Sequence, residues 1–265
     1  MKVYISADIE GITGTTHWDE TDMEKAEYQA AREQMTAEVA AACEGALAAG
    51  ATEVLVKDAH DTGRNIIAGR LPREVRLARG WSHHPFIMSE FLDESYRAML
   101  LIGYHSPARS GANPLSHTMT GSVHRILLNG ALASEFLLTV YTAATKGVPV
   151  AFLSGDAGLC EEARLLIPQI GTVAVKEGIG EATINIHPEV AVERIREGIR
   201  KALQADVAKC KLDLPGHFTI TVEYRQHMKA YRSSFYPGVR LIEPSTIQYE
   251  SDDFFDIMRL VEFLV

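Results

Sequence analysis

Apolar and polar positions along the chain follow two periods, and the change from one to the other marks out the elements. Residues Val3 to Ala7 read as a short strand that stops at two acids, Asp8 and Glu10, with Gly11 directly after. Side chains two apart on a strand share a face, so wherever the extended conformation persists both acids project into one space. Tyr28, Ala31, Met35, Val39, Ala42 and Ala46 then recur at helical spacing. Thr21, Asp22, Met23 and Glu24 predict a capping box opening that helix, and Gly50 its stop.

Further strands are predicted over EVLVKDAH (53–60), LPREVRLARG (71–80), the buried AMLLIGYHS (98–106), RILLNG (125–130), PVAFLSGD (149–156) and TVAVKE (172–177). Helices are expected over HPFIMSEFLD (84–93), ALASEFLLTVYTAATKG (131–147), the short stretch between PVAFLSGD and TVAVKE, and Pro188 to Lys209. In the last of these Val190, Ile195 and Ile199 make an apolar side, and the charges of VERIREGIRK a solvated one. The tail reads as strands HFTITVEYR (217–225) and VRLIEPSTIQYE (239–250), closed by the helix DDFFDIMRLVEFLV (252–265). This alternation predicts an α/β fold: a three-layer α/β/α sandwich on a mostly parallel, mixed sheet, with a smaller C-terminal α/β portion. A single domain over 1–265 is expected, its larger portion spanning about 1–185 and the smaller about 186–265.

Composition narrows the partners. With 46% apolar and 23% charged residues the chain can bury a real core. A net charge of -9 and no cluster of Lys and Arg argue against a nucleic acid or an anionic membrane as partner, since both demand concentrated positive charge. Cys43, Cys160 and Cys210 are isolated and odd in number, which suits buried thiols in a reducing compartment. The opening MKVYISADIE lacks a basic segment followed by an apolar stretch, and no apolar run approaches the ~20 residues needed to span a bilayer. A cytoplasmic, unanchored protein is the expectation.

In open α/β sheets ligands bind beyond the carboxyl ends of the strands, and here that edge is polar. Asp8 and Glu10 end the first strand, Asp58 and His60 the second, His105 follows AMLLIGYHS and Asp156 closes PVAFLSGD. Glu135 lies in the early turns of a helix, and His117 in the loop SHTMTG. Carboxylates mixed with imidazoles suit zinc or manganese, and a carboxylate shared between two metals explains why two acids tolerate each other. Asp8, Glu10, His60, His105 and Glu135 supply five candidate ligands, the right order for two metals about 3.5–4 Å apart. Such a pair acidifies bound water and polarises a carbonyl oxygen, which makes amide or ester hydrolysis feasible near neutral pH. Taken singly each residue has a plainer explanation: a solvated loop acid, a helix-capping or core histidine, an acid favoured by a helix dipole. HExxH, CxxC and Walker-type signatures are absent.

The stretches SADIEGITG, VKDAHDTGRNI, GYHS, SHTMTG, LNGALASEF, LSGD, TVAVKEGIGEATINIHP and YESDDFF, in this order from residue 5 to about 255, resemble the zinc D-aminopeptidase family, whose founding member was first described as a dipeptide-transport protein. The resemblance implies that Asp8 bridges two Zn2+ ions per subunit, that Glu10, His60, His105 and Glu135 complete the site, and that His117 is catalytic without binding metal. It also implies removal of an N-terminal D-residue from short peptides, and a ring-shaped homodecamer with its sites facing an inner chamber. One departure is Ser134-Glu135-Phe136-Leu137, where the family commonly has Gly-Glu followed by small residues. Other readings keep the metals and change the substrate, to another amide or to a phosphoester, or treat the chain as a non-catalytic peptide-binding component of transport. The lack of a phosphate clamp disfavours the phosphoester. Open metal positions beside a free histidine favour catalysis over binding alone.

Asp58 and Asp156 stand as candidates to orient the histidines, with turn closure an equal role for Asp58. Asn65 is expected to tie down the loop after His60, with contact to substrate as the alternative. His83 and His84 read as surface loop, and His187 as the start of a helix.

Overall fold

The computed structural model describes residues 1–265. Strand β1 (Lys2–Ala7) lies near the middle of a seven-stranded sheet with β2 (Glu53–Asp58), β3 (Val75–Ala78), β4 (Ala98–Tyr104), β7 (Val150–Asp156), β8 (Gly171–Ile179) and β9 (Ala182–Asn185), ordered β3-β2-β1-β4-β7-β8-β9. All pairs are parallel except β8 with β9, which form a hairpin. The central strands are buried on both faces, as parallel strands roofed by helices must be. On one face Val3, Ile5 and Ala7 join a core with α1 (Tyr28–Ala48) and α4 (Pro188–Gln204). On the other, Tyr4, Met99, Leu101 and Leu153 meet α2 (Glu135–Thr145) and α3 (Ala157–Leu166). The expected three-layer sandwich is therefore the one observed.

A second, antiparallel sheet lies beyond α2, ordered β11-β12-β10-β5-β6. It joins β5 (Val123–Leu128) and β6 (Ala131–Leu132) to β10 (Phe218–Tyr224), β11 (Arg240–Glu243) and β12 (Thr246–Ser251). Ile126, Leu128, Phe218, Ile220 and Val222 turn inward, sharing a core with α2 and α6 (Phe254–Leu264), while α5 (His227–Ser233) follows β10. The smaller sheet thus takes strands from both sides of residue 186, and α4 packs on α1 in the larger unit.

Several local expectations change. No side-chain cap opens α1, which begins only at Tyr28, because the Thr21 hydroxyl turns back to donate to the Trp18 carbonyl (2.9 Å). The capping box sits earlier, between His17 and Glu20, around the 3-10 turn Trp18–Glu20. HPFIMSEFLD supplies one 3-10 turn, Ile87–Ser89, since left-handed backbone at Ile87 and Phe91 stops any longer helix. VRLIEPSTIQYE folds as the β11–β12 hairpin rather than one strand. The helix from Pro188 ends at Gln204, and a separate turn spans Val207–Cys210.

Strand order reverses about β1: the chain moves to one side for β2 and to the other for β4. That switch point opens a crevice at the carboxyl ends of the three strands bearing Asp8, His60 and His105.

Candidate metal centre

The loop after β1 is laid directly on the end of β4. The Asp8 amide donates to the Ile102 carbonyl and the Gly11 amide to the Gly103 carbonyl, both at 2.8 Å. Two glycines make this approach possible. A Cβ on Gly103, whose φ is +69°, would lie 2.3 Å from the Asp8 carbonyl oxygen, and one on Gly11 would overlap the Tyr104 carbonyl. The close approach brings Asp8 and Glu10 against His105. Glu135 arrives from the first turn of α2, where Ser134 caps the helix by accepting from the Leu137 amide (3.0 Å). Ser134 thus serves as a cap, and Phe136 and Leu137 beside it are buried in the core.

All six singled-out residues meet in one place, and Asp8, Glu10, His60, His105 and Glu135 are each less than a tenth exposed. Asp8 stands at the centre. Its Oδ1 faces His60 Nδ1 (3.3 Å), which also faces Glu10 Oε2 (3.1 Å). Its Oδ2 faces His105 Nε2 (3.5 Å), which also faces Glu135 Oε2 (3.3 Å). Two donor groups therefore lie on either side of one carboxylate. Donor atoms bound to one tetrahedral zinc at ordinary bond lengths sit about 3.3 Å apart, so the spacing fits.

Each imidazole is held by its outward nitrogen. His60 Nε2 meets the Thr21 carbonyl (2.9 Å), His105 Nδ1 the Ser106 carbonyl (3.0 Å) and His117 Nδ1 the Leu115 carbonyl (2.9 Å). A carbonyl can only accept, so the proton is assigned to that nitrogen and the inward one presents a lone pair. Glu10 Oε2 and His105 Nε2 are buried without any hydrogen-bond partner. Orphaned polar atoms of this kind are costly unless something binds them, and three carboxylates with two imidazoles are the donor set that zinc takes. Without a metal the charges must settle among themselves. Burial and the neighbouring Glu10 raise the Asp8 carboxyl well above its usual range. Burial opposes a charge on His105, but Glu135 and Asp8 outweigh it and push its pKa up to about 10.

A family model described as D-aminopeptidase matches residues 1–263. This chain belongs to that family. The curated D-aminopeptidase of Bacillus subtilis (strain 168) is 32% identical over 255 residues, which cover 96% of this chain and 92% of that one. The solved structure of the Zn-dependent D-aminopeptidase DppA from Bacillus subtilis, described as a self-compartmentalizing protease, matches with a TM-score of 0.94 at 30% identity, covering 100% of this chain and 96% of that one.

In this D-aminopeptidase family member the centre opens into a cleft of about 900 Å³. His117 reaches it from the loop after β4, stacked on His105 with ring centroids 4.3 Å apart, its Nε2 at 3.7 Å from Glu135 Oε1. Trp18 packs edge-on against His117, and Trp81 forms another part of the wall. The Trp81 indole is held from behind by the buried Lys57 ammonium, 3.7 Å from the ring centroid, and donates to the Asp61 carbonyl (2.6 Å). Both tryptophans escaped sequence reasoning, because neither falls in a periodic segment. Lys57 did leave a signal, as a lone cation inside an apolar strand.

Asp58 touches no imidazole. It accepts from the amides of Asn65 (2.6 Å) and Ile66 (2.7 Å) and closes the loop that carries His60, while Asn65 in turn donates to the His60 carbonyl (2.7 Å). Asp156 acts one step removed, accepting from the Ser106 amide (2.7 Å) beside His105. His83 pairs with Glu262 (3.1 Å) on the wall of the same cleft, His124 accepts from Arg109, and His187 caps α4.

Proposed function

We propose that this chain is a metallo-aminopeptidase that holds two zinc ions per subunit and removes the N-terminal residue, a D-amino acid, from short peptides. The observation that carries the two-metal reading is Asp8, whose oxygens face separate donor groups, one with Glu10 and His60, the other with His105 and Glu135. Family membership and the relatives' named activity support the peptidase reading. Bound zinc supplies an activated water and polarises the scissile carbonyl. The residues do the rest. Trp18 and Trp81 wall the bound peptide, and His117, with Nδ1 tied to Leu115, offers Nε2 as the one atom free to attack the carbonyl or to move a proton to the leaving amine.

Release of amino acid from D-Ala-D-Ala and L-Ala-L-Ala, assayed before and after chelation and zinc return with the bound metal counted, tests this reading. Zinc-dependent cleavage favouring the D-peptide is expected. Cleavage of the L-peptide alone would remove the stereochemistry, and no cleavage of either would overturn the activity. We further place the protein in the cytoplasm as a homodecameric ring. Three free, buried cysteines suit a reducing compartment, no helix is long and apolar enough to cross a membrane, and Met228, Tyr231, Leu241 and Ile242 expose apolar surface that suits a subunit interface. Light scattering that returned a monomer mass would defeat the ring.

A further inference from the structure

The stretch TVAVKEGIGEATINIHP contributes no metal donor, yet its hairpin, β8 with β9, grips the loop that does. Thr13 Oγ1 donates to the Ile186 carbonyl (2.7 Å), and the Gly14 amide donates to Asn185 Oδ1 (2.9 Å). Deeper in, Lys176 of β8 is 3% exposed and sends its ammonium to two main-chain carbonyls of that loop, those of Glu10 and Thr15. A lysine so fully withdrawn from water is costly to keep, and Asp156, Glu10 and Glu38 are anions near enough to offset its charge.

The three carboxylates differ in how they are held. Asp8 Oδ1 takes the Ile9 amide (2.9 Å), and Glu135 Oε1 takes the Met119 amide (2.7 Å). No amide donates to the Glu10 carboxylate, whose Oε2 faces only the His60 ring (3.1 Å), so its direction depends on the backbone it hangs from. The peptide after Glu10 is held at both ends: the Gly11 amide donates to the Gly103 carbonyl (2.8 Å), and the Glu10 carbonyl oxygen accepts from Lys176 and from Asn113 Nδ2 (3.1 Å).

We infer that Lys176 is a positioning residue for the metal position bounded by Glu10 and His60, fixing the Glu10 peptide, and through it the carboxylate, while touching neither metal nor substrate. The inference rests on the two-metal reading above. The position bounded by His105 and Glu135 does not depend on Lys176, because both of those donors have anchors of their own.

Zinc affinities of the unaltered protein, Lys176→Met and Lys176→Arg, measured by competition with a chromophoric chelator and by metal analysis, test it. The unaltered protein should hold two ions. Lys176→Met should keep one at unchanged affinity and bind the other about 10- to 100-fold more weakly, the usual effect of losing a group that supports a ligand. Lys176→Arg, which still donates to both carbonyls, should recover most of that loss. If Lys176→Met does not fold by circular dichroism, Lys176→Gln, which keeps one donor group, is read by the same split. Two unchanged affinities, or two that fall together, would overturn the assignment. A single ion in the unaltered protein would instead overturn the two-metal reading beneath it.

Discussion

His117 is the one imidazole in the cleft that combines a fixed tautomer with partial exposure, and its contacts explain what its loss should do. It stacks on His105 but lies 3.7 Å from the nearest carboxylate oxygen, Glu135 Oε1, farther than the donor pairs around Asp8. His117→Ala should therefore leave zinc content near the unaltered level and lower kcat by roughly 100- to 10,000-fold, the usual worth of a proton-transferring group. Metal analysis beside steady-state kinetics checks both halves, and retained turnover would remove His117 from the chemistry. The candidate donors are legible at this scale because strands bury apolar side chains, so an acid or histidine at a strand end stands out. Lys176 and Asn113 are not legible in the same way. Their partners are main-chain carbonyls more than a hundred residues away, and a carbonyl has no sequence signature.

At the scale of the element, β4 shows how a strand end is shaped to fit a site. Gly103 takes a φ of +69° with the Asp8 carbonyl pressed on the place where a Cβ would stand. Gly103→Ala should cost at least about 2 kcal/mol, from strained backbone and forced displacement together. The displaced group is the Asp8 peptide, so the same variant should lose zinc as well as thermal stability. A variant with a lowered Tm and full metal content would separate the two effects and refute the second. The short, exposed edge strand β9 escapes the reading, while the central strands β1, β4 and β7 of the main sheet are legible because each is a buried, nearly continuous apolar run. The second sheet is not, because β5 pairs with β10, placing Leu128 opposite Ile220, and a pairing across that separation leaves no local period to read. The capping box fails for a local reason: the Thr21 hydroxyl donates to the Trp18 carbonyl, and the Glu24 amide it would have capped donates to Asp22 Oδ1 (2.9 Å) instead.

Across the whole molecule, stability should carry a pH signature from a group that does not line the cleft. Glu38, on the buried face of α1, accepts from the Thr13 amide (3.0 Å) and from Gln34 (3.0 Å), with Lys176 the nearby cation. Burial outweighs these and raises its carboxyl from 4.5 to about 7. A folded-state value above the unfolded one means that the folded protein holds the proton more tightly. The contribution is thus complete below about pH 4.5 and is lost as pH rises through about 7. Relative to Glu38→Gln, which cannot ionise, the unaltered protein should lose on the order of 3 kcal/mol over that interval, as measured by denaturant unfolding. A difference that stays flat with pH would show that Glu38 does not titrate there.

The pairing of β5 with β10 also has a consequence in time. A ribosome delivers Asp8, Glu10, His60, His105 and Glu135 by residue 135 of 265. Yet β5 has only the two-residue β6 beside it until β10 at residues 218–224 has been made, and α2, which carries Glu135, shares its core with α6 at residues 254–264. A chain still under synthesis therefore has its metal donors long before it has the frame that aims one of them. Chains stalled or cut short before α6 should be hydrolytically silent, so that competence to cut peptides arrives only once residues 254–264 have been made.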